Sequence, residues 1–249
     1  MIRQLLLAAL PLVFANPLPV PEEAANADVA AAADIALPPH WHQGGRGSSS
    51  SSSTCGKLNG PRYCKGTAYD SSQTNKYLCG DSRLGPTRLP RREPLDSITE
   101  FYDRFGGLCP GVFLDTWFNV TGTGWWWYPE ENGFVLGDSG LPIVGEVTLG
   151  RGTLLDRFGG ETGTFVSPAG AGYQQRALPP TNLNTLADTG VPYNYYVYSV
   201  LVPFVVRSGP IRPWFGQPGN GVQFELPKTV AELIVDGVLK AEDVRIVLP

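Results

Sequence analysis

Histidine is almost missing from this 249-residue chain: His40 and His42 are the only two, and both fall in a low-complexity stretch. Cysteine is hardly commoner, with four residues at wide spacings. A zinc site needs ligands in close pairs, so no metal centre is expected. Charge is sparse as well. Only 17 % of residues are charged, and 19 basic side chains face 23 acidic ones, a net of -4. Such a chain lacks the uniform positive field that holds a polyanion, so nucleic acid is not an expected partner. Any anionic ligand must be met by local arginines. After the first residues no apolar run reaches the roughly 20 residues that a membrane span takes, so no span is expected. Neither an internal repeat nor a heptad pattern is visible.

What the chain has in quantity is glycine, 30 residues, and proline, 23, with 11 % aromatics. Both punctuate elements instead of filling them, which argues for a turn-rich domain with short strands and long loops rather than a helical bundle. The length suits one main core with extensions.

Residues 1–15 begin Met1-Ile2-Arg3 and continue as an apolar run from Leu5 to Phe14, with Val13 and Ala15 as the small residues of a cleavage site. This is the pattern of a secretory signal peptide. Residues 16–54, rich in Ala and Pro and closing on the serine run Ser48 to Ser53, cannot bury enough apolar surface to order their backbone and read as a disordered spacer. Residues 55–110 carry Cys55, Cys64, Cys79 and Cys109. An even number of cysteines in an exported chain points to two disulfides and a disulfide-bonded subdomain. Of the three pairings open to them, Cys55 with Cys64 and Cys79 with Cys109 is favoured. Asn119-Val120-Thr121 is an acceptor sequon for N-glycosylation, as expected of a secreted glycoprotein.

Ser97 to Phe105, with Ile98, Phe101 and Tyr102 at helical spacing and Gly106-Gly107 behind them, predicts a short amphipathic helix. Strands are predicted at Gly133 to Leu136, Leu141 to Leu149, Gly163 to Val166 and, in two parts broken near Pro203, Tyr193 to Val206. Thr229 with Glu232 three residues later predicts a capped helix stopped at Gly237.

Three segments can carry chemistry. Leu154-Leu155-Asp156-Arg157-Phe158-Gly159-Gly160 sets an arginine and an aromatic ring in what reads as a turn, where a guanidinium fork can meet phosphate and a ring can stack on a base. Asp156 adjoins Arg157 and reads as its ion partner. Gly172 to Pro180 brings a second arginine, Arg176. Pro213-Trp214-Phe215 opens a glycine-rich loop that enters a strand carrying Gln223. Taken singly, each has a plainer reading: a surface salt bridge, an exposed arginine before a proline turn, and a hairpin with Trp214 and Phe215 in the core.

Together, and in this order, the three segments resemble the tuberculosis-necrotizing-toxin (TNT) family, where L-D-R-F-G, R-A-L-P-P and P-W-F-x-Q-P-G-x-G-x-Q-F recur. The likeness is nearest to the fungal secreted and surface NAD glycohydrolases of that family and runs over residues 76–240, through Cys79-Gly80-Asp81, Arg83 to Pro86, Arg104-Phe105-Gly106 and Tyr193-Asn194-Tyr195. It implies an α+β fold: a TNT-like catalytic domain over residues 111–249, with a twisted, mainly antiparallel central sheet and short helices, after the cysteine-bearing subdomain. It implies hydrolysis of the nicotinamide–ribose bond of NAD, with NADP left open, and NAD as substrate rather than cofactor. Carried over by position, Arg157 and Phe158 bind the nucleotide, Phe165 lies near the nicotinamide end, and Arg176 and Gln223 are catalytic. Relatives form dimers, which leaves a homodimer open. Some fungal relatives bind calcium through an acidic C-terminal extension. Here Glu242 and Asp243 alone supply too few of the about six to eight oxygens that calcium takes, and no calcium site is expected.

Nicotinamide in NAD is already a cationic leaving group, so the protein need mainly hold, distort and stabilise an oxocarbenium-like transition state. No acidic pair of the glycosidase kind falls in the three segments. In this reading Arg157 and Arg176 clamp the pyrophosphate, Phe158 and Phe165 pack on the bases, and Gln223 positions ribose or water, so alanine at Arg176 or Gln223 costs turnover far more than folding. Two other readings compete: an ADP-ribosyltransferase that uses NAD, and a non-enzymatic carbohydrate-binding surface module suggested by Trp125-Trp126-Trp127-Tyr128, of which at least one tryptophan must face outward.

Overall fold

The computed structural model describes residues 55–121 and 124–244. The segments read above as signal peptide and spacer, the two histidines and the last five residues lie outside the described residues.

Valine- and tyrosine-rich segments form the sheet. Strands β3 (Gly145–Leu149), β4 (Leu154–Phe158), β5 (Phe165–Pro168), β6 (Tyr195–Val200), β7 (Phe204–Pro210), β8 (Val222–Glu225) and β9 (Leu239–Glu242) make a seven-stranded sheet in the order β3-β7-β8-β5-β4-β6-β9. Every neighbouring pair is antiparallel. A separate two-stranded ladder joins β1 (Phe118–Asn119) to β2 (Trp125–Trp126). Helices are few and short among the described residues: α1 (Leu95–Thr99), α2 (Pro110–Trp117) and α3 (Val230–Val235).

The sheet is covered on both faces, and strand alternation decides which residue goes where. Leu155, Tyr198, Val200, Phe224 and Leu239 point to one side and pack with Val230 and Leu233 of α3. Phe158, Tyr195 and Val197 point to the other and pack with Ile98 of α1, Tyr102, Tyr173 and Leu183. A third cluster joins Cys64, Leu78, Cys79, Leu84 and Phe105 to Phe113, Leu114 and Trp117 of α2 and to Trp214 and Phe215, so the cysteine-bearing segment shares its core with chain more than a hundred residues further on. α3 starts as its sequence dictates: the Thr229 side chain accepts from the Glu232 nitrogen, and the Glu232 carboxylate accepts from the Thr229 nitrogen.

Several expectations need correction. The disulfides are Cys55–Cys109 and Cys64–Cys79, each with Cα atoms 5.5 Å apart, and not the favoured pairing. Proximity in space governs: the Asp70 nitrogen donates to the Cys79 carbonyl and the Cys79 nitrogen to Asn59 Oδ1, which folds the segment after Cys64 back onto it. The helix expected over Ser97 to Phe105 is α1, which starts earlier and stops at Thr99, leaving Phe101 exposed. Gly133 to Leu136 makes only isolated bridges, from Phe134 to Ile211 and from Leu136 to Pro142, and β3 begins at Gly145 because Leu141 and Ile143 are engaged with Gly137 and Val135 across the turn between Gly137 and Gly140. Leu154 to Phe158 is a strand and not a turn; the turn begins at Gly159, whose φ of +146° suits glycine.

Asn119 sits in β1 with its Oδ1 accepting from the nitrogen and hydroxyl of Thr121, and its neighbour Val120 is exposed. Trp125 and Trp127 are exposed, whereas Trp126 packs against the third cluster. Among the described residues no helix is long and apolar enough to cross a membrane.

Candidate active site

Pairing between β4 and β5 ends at Asp156 and Ser167, although β4 runs on to Phe158 and β5 starts back at Phe165. The two strands part there. An open cavity of about 400 Å³ occupies the gap, lined by Asp156, Arg157 and Phe158 from one side and Phe165, Val166 and Ser167 from the other. Arg176, Asn182, Arg212 and Gln223 are among the residues of the remaining wall, with Tyr128 and Asn132 at the exposed rim. All five side chains proposed from sequence to bind or act on the nucleotide therefore border one cavity, whose size is that of small-molecule sites.

Arg157 leaves β4 on the Tyr196 side and folds along the gap. Its Nε donates to the Gly160 carbonyl at 2.9 Å and its Nη1 to the Phe165 carbonyl at 2.5 Å, so neutral acceptors fix the fork without cancelling its charge. Burial pulls its pKa below the ordinary arginine value, against the partial compensation of Tyr198 and Tyr128. An arginine nonetheless stays protonated in a protein. The guanidinium lies on Gly163, where an added Cβ would fall 1.9 Å from Nη2.

Arg176 is held differently. It ends a short 3-10 turn, Tyr173–Arg176, with only 5 % of its surface exposed. Its Nη1 is 2.6 Å from Asp156 Oδ1, its Nη2 donates to Asp156 Oδ2 at 2.8 Å, and Nε and Nη2 both donate to the Ala171 carbonyl. Asp156 also accepts from the Gly170 nitrogen and the Tyr195 hydroxyl. The carboxylate beside Arg157 in sequence is thus the partner of Arg176, correcting the expected pair: adjacent residues of a strand face opposite sides of the sheet. Burial, and then the Asp156 charge and hydrogen bond, push the Tyr195 hydroxyl far above the usual phenol range.

Phe158 is 2 % exposed, wedged between Tyr173 and Tyr195 at ring-centroid distances of 4.9 and 4.7 Å, with the Arg176 guanidinium 5.1 Å from its centroid. Its ring is a platform under Arg176. Phe165, half-buried across the gap, is the more accessible of the two rings. Gln223 stands on β8, also half-buried, and its Nε2 donates to the Asn132 carbonyl at 2.9 Å. The nitrogen being so committed, the amide oxygen is the group left to accept from a ligand hydroxyl or water.

Sequence reasoning missed the role of Asp156 and the presence of Arg212, which stands one residue ahead of the Pro213-Trp214-Phe215 segment. Among the described residues no group of three or more His, Cys, Asp or Glu side chains is placed to hold a metal, and Glu242 is occupied by Ser199 and Lys240.

Comparison with known proteins adds independent findings. Residues 148–241 match the family described as TNT, tuberculosis necrotizing toxin. The conidial surface nicotinamide adenine dinucleotide glycohydrolase nadA of Aspergillus fumigatus is 50 % identical over 184 residues, 74 % of this chain and 77 % of that protein. Among solved structures, that of tuberculosis necrotizing toxin complexed with its immunity factor IFT aligns over 63 % of this chain and 92 % of its own, with a TM-score of 0.44 and 20 % identity. Tse6 in complex with Tsi6 aligns over 40 % of this chain and 72 % of its own, with a TM-score of 0.30 and 16 % identity.

Proposed function

The chain belongs to the tuberculosis necrotizing toxin family, and from that premise we propose that it is an NAD glycohydrolase acting at the cell surface or outside the cell, which breaks the nicotinamide–ribose bond of NAD and releases ADP-ribose. NAD is its substrate and not a resident cofactor. The observation that carries the reading is the convergence of Arg157, Arg176 and Gln223, from three separate stretches of chain, on the cavity between β4 and β5.

The geometry suits an oxocarbenium-like transition state, in which the leaving group takes its electrons without an acid. Arg157 offers Nη2 to phosphate from a fork already fixed by two carbonyls. Arg176 and Asp156 form a neutral, rigid wall, so the pair orients the substrate without setting a net positive charge against a developing cation. Phe165 packs on a base, with Phe158 acting through Arg176. The Gln223 oxygen accepts from a ribose hydroxyl or the attacking water and holds it for the in-line approach.

The test is direct. Purified secreted protein incubated with NAD, without any acceptor, is expected to release nicotinamide and free ADP-ribose in equal amounts. No release of nicotinamide overturns the reading; nicotinamide release that needs an added protein acceptor replaces it with ADP-ribose transfer.

A further inference from the structure

Arg212 and Gln223 are moored to one turn. The Arg212 backbone nitrogen donates to the Gly133 carbonyl at 2.8 Å, and the Gln223 side chain donates to the carbonyl of the preceding residue, Asn132. The glycine-rich loop fastens the segment further: the Ile211 nitrogen donates to the Gly221 carbonyl, the Asn220 nitrogen donates to the Ile211 carbonyl, and a Cβ on Gly219 would lie 2.7 Å from that same oxygen. The backbone of Arg212 is thereby fixed relative to β8 and the cavity it lines.

Its side chain is not matched in the same way. Arg212 Nη2 is buried and has no acceptor among the described residues. A buried donor left unmade costs roughly 1–3 kcal/mol, more on a charged group, so such a group in a cavity wall marks a place where a ligand supplies the acceptor. The three guanidiniums of the cavity differ in this respect. Arg176 is neutralised by Asp156; Arg157 is held by carbonyls at Nε and Nη1 and has no carboxylate partner among the described residues; Arg212 has a buried donor, Nη2, that meets no acceptor among them. Three cations and one carboxylate line the cavity, an excess of two positive charges, which matches the two negative charges of a pyrophosphate.

We propose that Arg212, and not Arg176, is the second arm of the pyrophosphate clamp: Arg157 and Arg212 meet the two phosphates, and Arg176 serves as a positioning residue fixed to Asp156. The assignment rests on the dinucleotide reading of the cavity.

ADP-ribose binding, measured by calorimetry on the full secreted chain, tests it apart from hydrolysis. Arg212→Met is expected to weaken ADP-ribose at least about ten-fold, Arg212→Lys to weaken it less, and inhibition by adenosine, which has no phosphate, to stay unchanged. ADP-ribose binding to Arg212→Met as tight as in the parent protein overturns the proposal, as does an equal loss of ADP-ribose and adenosine affinity, the mark of a merely structural role. Where the methionine variant does not fold, the lysine variant decides by the same comparison, since it keeps the charge and lacks the fork. A parent protein that binds ADP-ribose but leaves NAD intact refutes the glycohydrolase reading alone. One that hydrolyses NAD with Arg212→Met unimpaired in ADP-ribose binding refutes the clamp alone.

Discussion

Arg176 and Asp156 meet at 2.6 Å with 3 % and 0 % of their side chains exposed, so each is the condition for burying the other. Arg176→Ala leaves a carboxylate in the sheet interior with only a tyrosine hydroxyl and a backbone nitrogen for company. The expected cost is about 3–5 kcal/mol, read as a lower denaturant midpoint in equilibrium unfolding. Read from sequence alone, alanine here costs turnover far more than folding; the buried pair adds a substantial folding cost to that expectation. An Arg176→Ala variant as stable as the parent protein shows that the pair does not anchor the site.

Gly163 carries no side chain because Arg157 lies on it. In Gly163→Ala the new methyl meets the guanidinium and not backbone, so the cost in folding is that of the hydrogen bonds the displaced fork gives up, about 1–3 kcal/mol. Losing the fixed fork weakens a charge-assisted contact, and KM for NAD is expected to rise roughly ten-fold with a smaller change in kcat. Steady-state kinetics beside thermal unfolding separates the two; an unchanged KM sinks the role of Arg157.

Gln223 is half-buried at the cavity edge and gives up one hydrogen bond when replaced, a stability cost of about 1 kcal/mol. Gln223→Ala is expected to lower kcat by about a hundred-fold through loss of positioning. Gln223→Glu keeps the shape but sets a charged acceptor against the Asn132 carbonyl in place of the donor. Single-turnover measurements that find chemistry at full rate in the alanine variant exclude Gln223 from the reaction.

Burial raises the hydroxyl pKa values of Tyr102, Tyr173, Tyr195 and Tyr198 above the ordinary tyrosine value of 10.0, with Asp156 adding to the effect at Tyr195 and Glu161 at Tyr198. A pKa raised in the folded state contributes stability that is complete below the unfolded pKa and disappears as the pH rises towards the folded one. The melting temperature is therefore expected to fall steeply above about pH 10. Tyrosinate absorbance should show these four ionising only with unfolding; early titration of all tyrosines contradicts the packing of the sheet.

Asn119 belongs to the chain's one N-x-S/T sequon, and its amide oxygen is bound by Thr121, which leaves the nitrogen to take a sugar. We expect a single N-linked glycan there on protein recovered from a eukaryotic secretory host. Endoglycosidase should lower the mass of the parent protein and leave Asn119→Gln unaltered; a parent protein of unmodified mass rules the glycan out.

How far the sequence could be read depended on whether a signal was local. The alternation of Tyr193 to Val206 and the Thr229–Glu232 cap are written in neighbouring residues, and both appear as β6 with β7 and as α3. The arginines and Gln223 were legible as segments, since short motifs keep their order. Three things were not. The partner of Asp156 depends on knowing that Leu154 to Phe158 is a strand, which sends Arg157 to the opposite face. The disulfide pairing depends on how Asn59 and Asp70 fold one loop back. The cavity itself arises from two strands that separate after Asp156, a feature of register that no run of residues announces.

The order of the strands also governs when activity can exist. β8 lies between β7 and β5, and its Gln223 reaches the gap bordered by Arg157 and Phe165 only after residues far along the chain have entered the middle of the sheet. Its pairing with β5, more than fifty residues earlier in the chain, is a non-local contact, the kind that costs loop closure before it contributes stability. A chain that stops before Val222 lacks β8 and with it the Gln223 wall of the cavity, so a closed dinucleotide site is a property of the completed sheet and of no shorter piece of it.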